Sequence, residues 1–195
     1  MLQDVLGELY PKVRKSTLDC LEKCERTVSI SKGELIVDIG DMPTRICTLE
    51  KGILRGFITD MDGRDTTDCF VYHTGDVVLS CSGLEEPSLV QIEALTDTIM
   101  KEYPRDIVME LMEQDLGLLM FYNRELKSAL FRHWEEKVLL HHSSAMERYL
   151  WFLKEYPGLI DLIGNKYIAS FLGMTPVTLS RLRRRLRDEQ EAAAK

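Results

Sequence analysis

Hydrophobic and polar residues follow three successive patterns along this chain of 195 residues. Residues 2–25 carry apolar positions at helical spacing, interrupted near Pro11. From Val28 to about Pro104 the apolar residues recur at every second position, in short runs separated by glycine-containing turns. After Pro104 the helical spacing returns. This order predicts an α+β protein whose β-rich first half is followed by helices.

The β-rich segment contains runs that are typical of short strands. Leu35, Val37 and Ile39 alternate with other residues, and the sequence Met61-Asp62-Gly63-Arg64 is a hairpin signal. Similar runs extend to Pro104, so we expect about six to eight antiparallel strands. Short strands joined by tight turns predict an antiparallel β jelly roll, or double-stranded β-helix.

A long helix is predicted from about Asp115 to His142. Its apolar residues recur at a spacing of three and four, which is typical of the seam of a two-stranded coiled coil. The alternative is an ordinary amphipathic helix that lies on the barrel. We predict a dimer interface because the seam is long, and its residues are Leu116, Leu119, Asn123, Leu126 and Leu130.

The C-terminal segment has clear helix-start signals. Ser144 and Glu147 form a capping box, which predicts a helix from Ala145 to about Glu155. The predicted buried face of that helix consists of Met146, Tyr149, Leu150 and Leu153. The pattern therefore predicts three parts: a sensor barrel with its helical lead-in at residues 1–114, a dimerisation helix at 115–142, and an all-α domain at 143–195.

Residues 165–187 are predicted to form two short helices around a tight turn. Gly173 suits the turn because it can adopt positive φ, Thr175 suits the N-cap of the second helix, and Pro176 suits its first position. The apolar residues have spacings that let two crossed helices share a small core: Ile168, Leu172, Met174, Leu179 and Leu182. This is the pattern of a helix-turn-helix, whose second helix enters a DNA major groove.

The charge distribution supports this interpretation. Residues 165–187 contain six Lys or Arg and no Asp or Glu, whereas the whole chain carries a net charge of −7. Thr178, Arg181 and Arg185 share one face of the second helix. A basic segment on an acidic protein is expected where phosphate is bound. The alternative is an arginine run that is merely solvated or that stabilises a helix C-terminus.

Composition excludes several classes of protein. With 45% apolar and 29% charged residues the chain can bury a core, and no apolar run approaches the ~20 residues of a membrane span. The first residues do not resemble a signal peptide, so we expect a cytoplasmic protein that does not bind membranes. The five cysteines lack metal-site spacing, and the barrel segment contains only one of the four histidines, His73. We therefore predict no metal, no cofactor and no enzymatic activity.

Over nearly its whole length the chain resembles the Crp/Fnr family of bacterial transcription regulators. The C-terminal block is the most specific, and the Gly-Glu and Asp-Gly-Arg turns are individually weak. The matching segments are SKGELIVDIGD (31–41), EKG (50–52), MDGRDTTDCFV (61–71), HTGD (73–76), ALTDT (94–98), ERYLWFLKEYP (147–157) and KYIASFLGMTPVTLSRLRRRL (166–186).

The resemblance implies a homodimer whose second helices enter successive major grooves of a palindromic operator. It implies that Arg181 reads a base, which an arginine can do by pairing with guanine, and that Thr175 and Thr178 meet phosphate. Pro176 and Val177 stand where better-known members have Arg and Glu, so the operator should differ from theirs. The complete predicted DNA-binding set is Lys166, Thr175, Pro176, Val177, Thr178, Arg181, Arg184 and Arg185.

The resemblance is weaker at the effector pocket. Family members that bind cyclic AMP have Gly-Glu followed later by Arg-Ser or Arg-Thr, and this chain has Leu79-Ser80 and Ser88-Leu89. Without that arginine a buried phosphate would have no charge partner, which costs several kcal/mol. We therefore expect an unidentified small-molecule effector, or none, at a pocket that comprises Val78, Leu79, Ser80, Ser88 and Leu89.

One alternative function remains open at this point. The barrel could sense a ligand and act through protein–protein contacts, with the C-terminal helices as a docking surface and no DNA binding. Salt-dependent binding to duplex DNA separates the two functions.

Overall fold

The computed structural model describes residues 13–80 and 84–193, which pack into two compact units. The first unit contains the described residues up to Ile58 and those from Asp68 to Leu130. The second contains Thr59–Thr67 and the described residues from Phe131 onward. Of the predicted helical lead-in at residues 2–25, the part up to residue 12 lies outside the described residues.

The first unit is a jelly roll with flanking helices. Its strands lie in two four-stranded sheets, in the orders β1-β8-β3-β6 and β2-β7-β4-β5, and each pairing with a described register is antiparallel. Consecutive strands alternate between the two sheets except for β4 and β5, which form a hairpin within one sheet, and this arrangement is that of a jelly roll. The elements are α1 (Lys15–Cys24), β1 (Arg26–Ile30), β2 (Leu35–Val37), β3 (Arg45–Lys51), β4 (Leu54–Thr59), β5 (Asp65–Val71), β6 (Val77–Val78), β7 (Gln91–Ala94), β8 (Thr98–Pro104) and α2 (Arg105–Gln114).

Alternating apolar side chains fill the space between the sheets. This cluster consists of Leu49, Leu54, Val71, Val90, Ile92, Ala94 and Met100. The turn between β3 and β4 depends on Gly52, whose φ is +116° and whose missing Cβ leaves room for Thr98. The EKG turn therefore needs glycine for two reasons, conformation and space.

A buried carboxylate fixes the start of the long helix α3 (Leu116–His142). Asp115 accepts hydrogen bonds from the hydroxyl of Thr17 at 2.6 Å, from the backbone N–H of Arg14 at 2.8 Å and from that of Gly117 at 2.9 Å. Burial raises the pKa of Asp115, but these hydrogen bonds together outweigh it and leave the pKa below its usual value. The carboxylate thus caps α3 and holds it to the N-terminal end of α1.

The second unit contains the end of α3 and four further helices. These are α4 (Ala145–Glu155), α5 (Leu159–Leu162), α6 (Asn165–Phe171) and α7 (Pro176–Ala193). The predicted capping box is present, with Glu147 N–H donating to the Ser144 hydroxyl and Ser144 N–H donating to the Glu147 carboxylate. The backbone hydrogen bond from Ser144 holds the pKa of Glu147 below its usual value.

The buried face of α4 differs from the prediction at one position. Tyr149 is buried as expected, but Leu150 is exposed and Phe152 takes its place in the core. The rings of Phe152, Tyr156 and Phe171 pack at centroid separations of 5.0–5.9 Å. Aromatic rings bury a large apolar area, which accounts for the place of Phe152 in the core.

The predicted fold class is confirmed: an antiparallel jelly roll, a long helix and C-terminal helices in an α+β chain. Among the described residues no helix is both long enough and apolar enough to cross a membrane.

Candidate nucleic-acid interface

Helices α6 and α7 are joined by a tight turn at Gly173, whose φ is +61°. The Met174 N–H donates to the Ala169 carbonyl at 2.9 Å, and the Gly173 N–H donates to the Ser170 carbonyl at 3.1 Å. These bonds satisfy carbonyl groups that the end of α6 would otherwise leave unpaired. The turn therefore has a single well-defined geometry.

The two helices share the small core that the sequence predicts. Ile168, Ala169, Leu172 and Leu179 are essentially inaccessible to solvent. Because Ala169 has only a methyl group, α7 can approach α6 closely at this point. The crossing angle of α7 is thus fixed by packing rather than by the turn alone.

The N-terminus of α7 is capped as predicted. The Thr178 N–H donates to the Thr175 hydroxyl at 3.1 Å, and the two threonine hydroxyls lie 2.9 Å apart. Pro176 is the first residue of the helix, and Val177 beside it is exposed. The positive end of the helix dipole and two hydroxyls therefore face solvent together, which suits a phosphate group.

Three arginines extend from the next turns of α7 into solvent. Arg181, Arg184 and Arg185 are exposed, with 81% of the Arg184 side chain accessible. Arg185 pairs with Glu189 at 2.8 Å and Arg184 approaches Asp188 at 3.9 Å. Exposed pairs of this kind contribute at most about 1 kcal/mol, so phosphate can displace the carboxylates.

Arg183 has a different role from its neighbours. Its Nη1 donates to the Asn165 side chain at 2.8 Å, and its Nη2 lies 3.4 Å from Asp161. The guanidinium group therefore ties α7 to the start of α6 and to α5. The sequence places Arg183 in the basic run, but its contacts are intramolecular.

Lys166 is the predicted DNA-binding residue on the other helix. It is exposed on α6, and its Nζ lies 4.5 Å from the Tyr167 ring centroid. The remaining predicted contacts lie between Thr175 and Arg185, at the N-terminal end of α7. In a helix-turn-helix this end of the second helix meets the base edges.

An apolar stripe runs along α3. Leu116, Leu130 and Trp134 have 67%, 58% and 59% of their surface exposed, and Asn123 is also exposed. Leu119 is 36% exposed, and Leu126 is half-buried. The stripe also includes residues that the seam pattern did not select, namely Met120, Phe131 and Val138. So many exposed apolar side chains on one helix are typical of an interface.

At the predicted effector pocket the Ser88 hydroxyl is already hydrogen-bonded within the protein. Ser88 is buried, and its hydroxyl donates to the carbonyl groups of Val90 at 2.6 Å and Ser80 at 3.0 Å. One hydroxyl proton shared between two acceptors leaves no donor for a ligand. Leu89 is 63% exposed, and Val78 lies in β6 against the apolar core.

Arg55 is the buried arginine that the sequence analysis missed. Its Nε lies 2.7 Å from the Glu93 carboxylate in the cross-strand position, and its guanidinium carbon lies 4.0 Å from the Phe57 ring centroid. The Glu93 carboxylate neutralises the charge of Arg55. This arginine therefore does not replace the one missing from the effector pocket.

Comparison with known proteins identifies relatives for both the domain and the whole chain. Residues 27–115 match the family model of the cyclic nucleotide-binding domain. No curated protein sequence matches the chain significantly.

Three solved structures illustrate the likeness of the whole chain. FixK2 from Bradyrhizobium japonicum has a TM-score of 0.78 and 24% identity, covering 85% of this chain and 86% of that one. A protein from Eubacterium rectale, described as a regulator of the Crp/Fnr family, has a TM-score of 0.71 and 20% identity, covering 92% and 86%. The c-di-GMP-responsive global regulator CLP from Xanthomonas campestris has a TM-score of 0.72 and 11% identity, covering 91% and 93%.

These likenesses agree with the architecture derived from the residues. Residues 27–115 form a cyclic nucleotide-binding domain by their family match, and the chain as a whole has the fold of the Crp/Fnr-family transcription regulators.

Proposed function

We propose that this protein is a dimeric, sequence-specific DNA-binding transcription regulator. The observation that carries the proposal is the exposed end of α7, where a capped helix N-terminus adjoins Arg181, Arg184 and Arg185. The contacting groups are Lys166 and the α7 residues Thr175, Pro176, Val177, Thr178, Arg181, Arg184 and Arg185. Arg181 reads a base, and the others position α7 on the backbone and groove.

Dimerisation completes this function, because one helix-turn-helix reads only half of a palindromic operator. The exposed stripe of α3 supports a parallel pairing of two copies through Leu116, Leu119, Asn123, Leu126 and Leu130. Asn123 can fix the register of such a pair at some cost in stability.

The effector, if one acts on the jelly roll, is not cyclic AMP bound in the family's usual way. The Ser88 hydroxyl already donates its proton to backbone carbonyl groups, and the Arg-Ser or Arg-Thr pair is missing. The competing function is a ligand-sensing barrel that acts only through protein contacts. Its helical end would then show no affinity for duplex DNA.

The salt dependence of binding to random-sequence duplex DNA tests the proposal. Three basic side chains per subunit, Lys166, Arg184 and Arg185, are assigned to phosphate, so the logarithm of the association constant should fall with the logarithm of salt concentration with a slope of about −5 for the dimer. Arg184→Ala should reduce this slope by about two per dimer because a phosphate contact is lost from each subunit.

Arg183→Ala is the matched comparison, since its guanidinium contacts the protein itself. It should lower thermal stability and leave the salt slope unchanged. A slope near zero for the unaltered protein would refute DNA binding and favour the protein-contact function.

A further inference from the structure

The tip of the β4–β5 hairpin packs with the C-terminal helices, although the rest of both strands belongs to the jelly roll. Residues Thr59–Thr67 belong to the second compact unit. The Asp60 carboxylate accepts the N–H groups of Asp62 and Arg64, both at 2.9 Å, and the Thr59 hydroxyl donates to Asp65 at 3.0 Å. These bonds make the hairpin a locally rigid element.

Ser170 of α6 joins this hairpin to the two-helix motif. Its hydroxyl accepts the Thr67 N–H at 2.9 Å and donates to the Asp65 carbonyl at 3.1 Å. The backbone carbonyl of the same residue accepts the Gly173 N–H in the turn between α6 and α7. One residue therefore contacts both the hairpin and the turn that sets the direction of α7.

We propose that the DNA-binding unit is discontinuous: it consists of the hairpin 59–67 together with the C-terminal helices, and Ser170 is the positioning residue that joins them. The inference rests on the proposed function. The hairpin braces α6, and α6 in turn holds α7 through the shared core of Ile168 and Leu179.

The chemistry of the contact requires a hydroxyl. Thr67 is buried and needs an acceptor for its N–H, while Asp65 offers a carbonyl that needs a donor. A hydroxyl supplies both at once, and a methyl group supplies neither. Because alanine is a good helix former, Ser170→Ala should leave α6 intact while it removes the brace.

The test compares Ser170→Ala, Ser170→Thr and Ser180→Ala in the full chain. Ser180 is an exposed serine on α7, so Ser180→Ala controls for the loss of a serine hydroxyl at another position of the two-helix motif. Two quantities are measured: the hydrogen-exchange rate of the Thr67 amide, and the affinity and salt slope for random-sequence duplex DNA.

Ser170→Ala should speed exchange at Thr67 and weaken DNA binding by up to about thirtyfold, the scale of two lost hydrogen bonds. The salt slope should not change, because no phosphate contact is lost. Ser170→Thr should restore both quantities, and Ser180→Ala should alter neither.

Unchanged exchange at Thr67 in Ser170→Ala would overturn the hairpin link. Faster exchange with unchanged DNA affinity would overturn the positioning role. If the unaltered protein does not bind DNA, the proposed function fails and the positioning role fails with it. The exchange result would still reveal whether Ser170 holds the hairpin.

Discussion

Simultaneous Arg181→Glu and Arg184→Glu substitution is expected to weaken binding to duplex DNA by about a hundredfold or more. Each substitution removes a positive charge from the proposed DNA-binding surface and puts a negative charge in its place, and like charges brought together cost several kcal/mol. Both side chains are exposed, so the fold should tolerate the change. Fluorescence anisotropy with labelled duplex DNA measures the affinity, and thermal unfolding checks the fold.

The matched control is Lys51→Glu combined with Lys154→Glu. Both lysines are exposed and lie on β3 and α4, and the change in net charge is the same. The control should bind DNA within a few-fold of the unaltered protein, since long-range charge acts only weakly at physiological salt. An equal loss of DNA affinity in both variants would mean that net charge, not the α7 surface, governs binding.

Leu130→Asp combined with Trp134→Asp is expected to convert the proposed dimer to monomers. The two side chains lie one helical turn apart on the exposed stripe of α3, and a buried unpaired carboxylate at each position of an interface costs several kcal/mol. Sedimentation equilibrium measures the change. Affinity for an operator with two half-sites should fall by about a hundredfold, because the second binding event is no longer intramolecular.

Leu35→Asp combined with Leu162→Asp is the control for that variant. These leucines are also exposed, on β2 and α5, and the gain in polarity is the same. This control should remain dimeric. A monomeric unaltered protein, or a dimeric Leu130→Asp/Trp134→Asp variant, would contradict the assignment of the interface to α3.

Local signals in the sequence predict much of the second unit. Thr175 and the Ser144–Glu147 pair act within four residues of their partners, so their sequence pattern specifies the contact. The buried residues Ile168 and Leu179 follow from helical periodicity in the same way.

Contacts between distant residues could not be predicted in this way. Ser170 meets Thr67 across 103 positions of sequence, and Arg183 meets Asn165 across 18. No spacing rule links such pairs, and a basic run gives no sign that one of its arginines turns inward. The same limit applies to Arg55 and Glu93, whose pairing depends on the register of β4 and β7.

The effector pocket could be predicted from the sequence only in part. The missing Arg-Ser or Arg-Thr pair is visible in the sequence, and it argues against the usual phosphate contact. The hydrogen bonds that occupy the Ser88 hydroxyl appear only in the structure. The two observations are independent and lead to the same expectation for cyclic AMP.

Selection of bound fragments from a random duplex DNA library tests the central claim most directly. A dimer with one α7 per half-site should enrich an inverted repeat whose half-sites are centred about 34 Å, or one helical turn, apart. Base preference at one position of each half-site should disappear in the Arg181→Ala variant. Recovery of no preferred sequence, or of a single unrepeated site, would contradict the account.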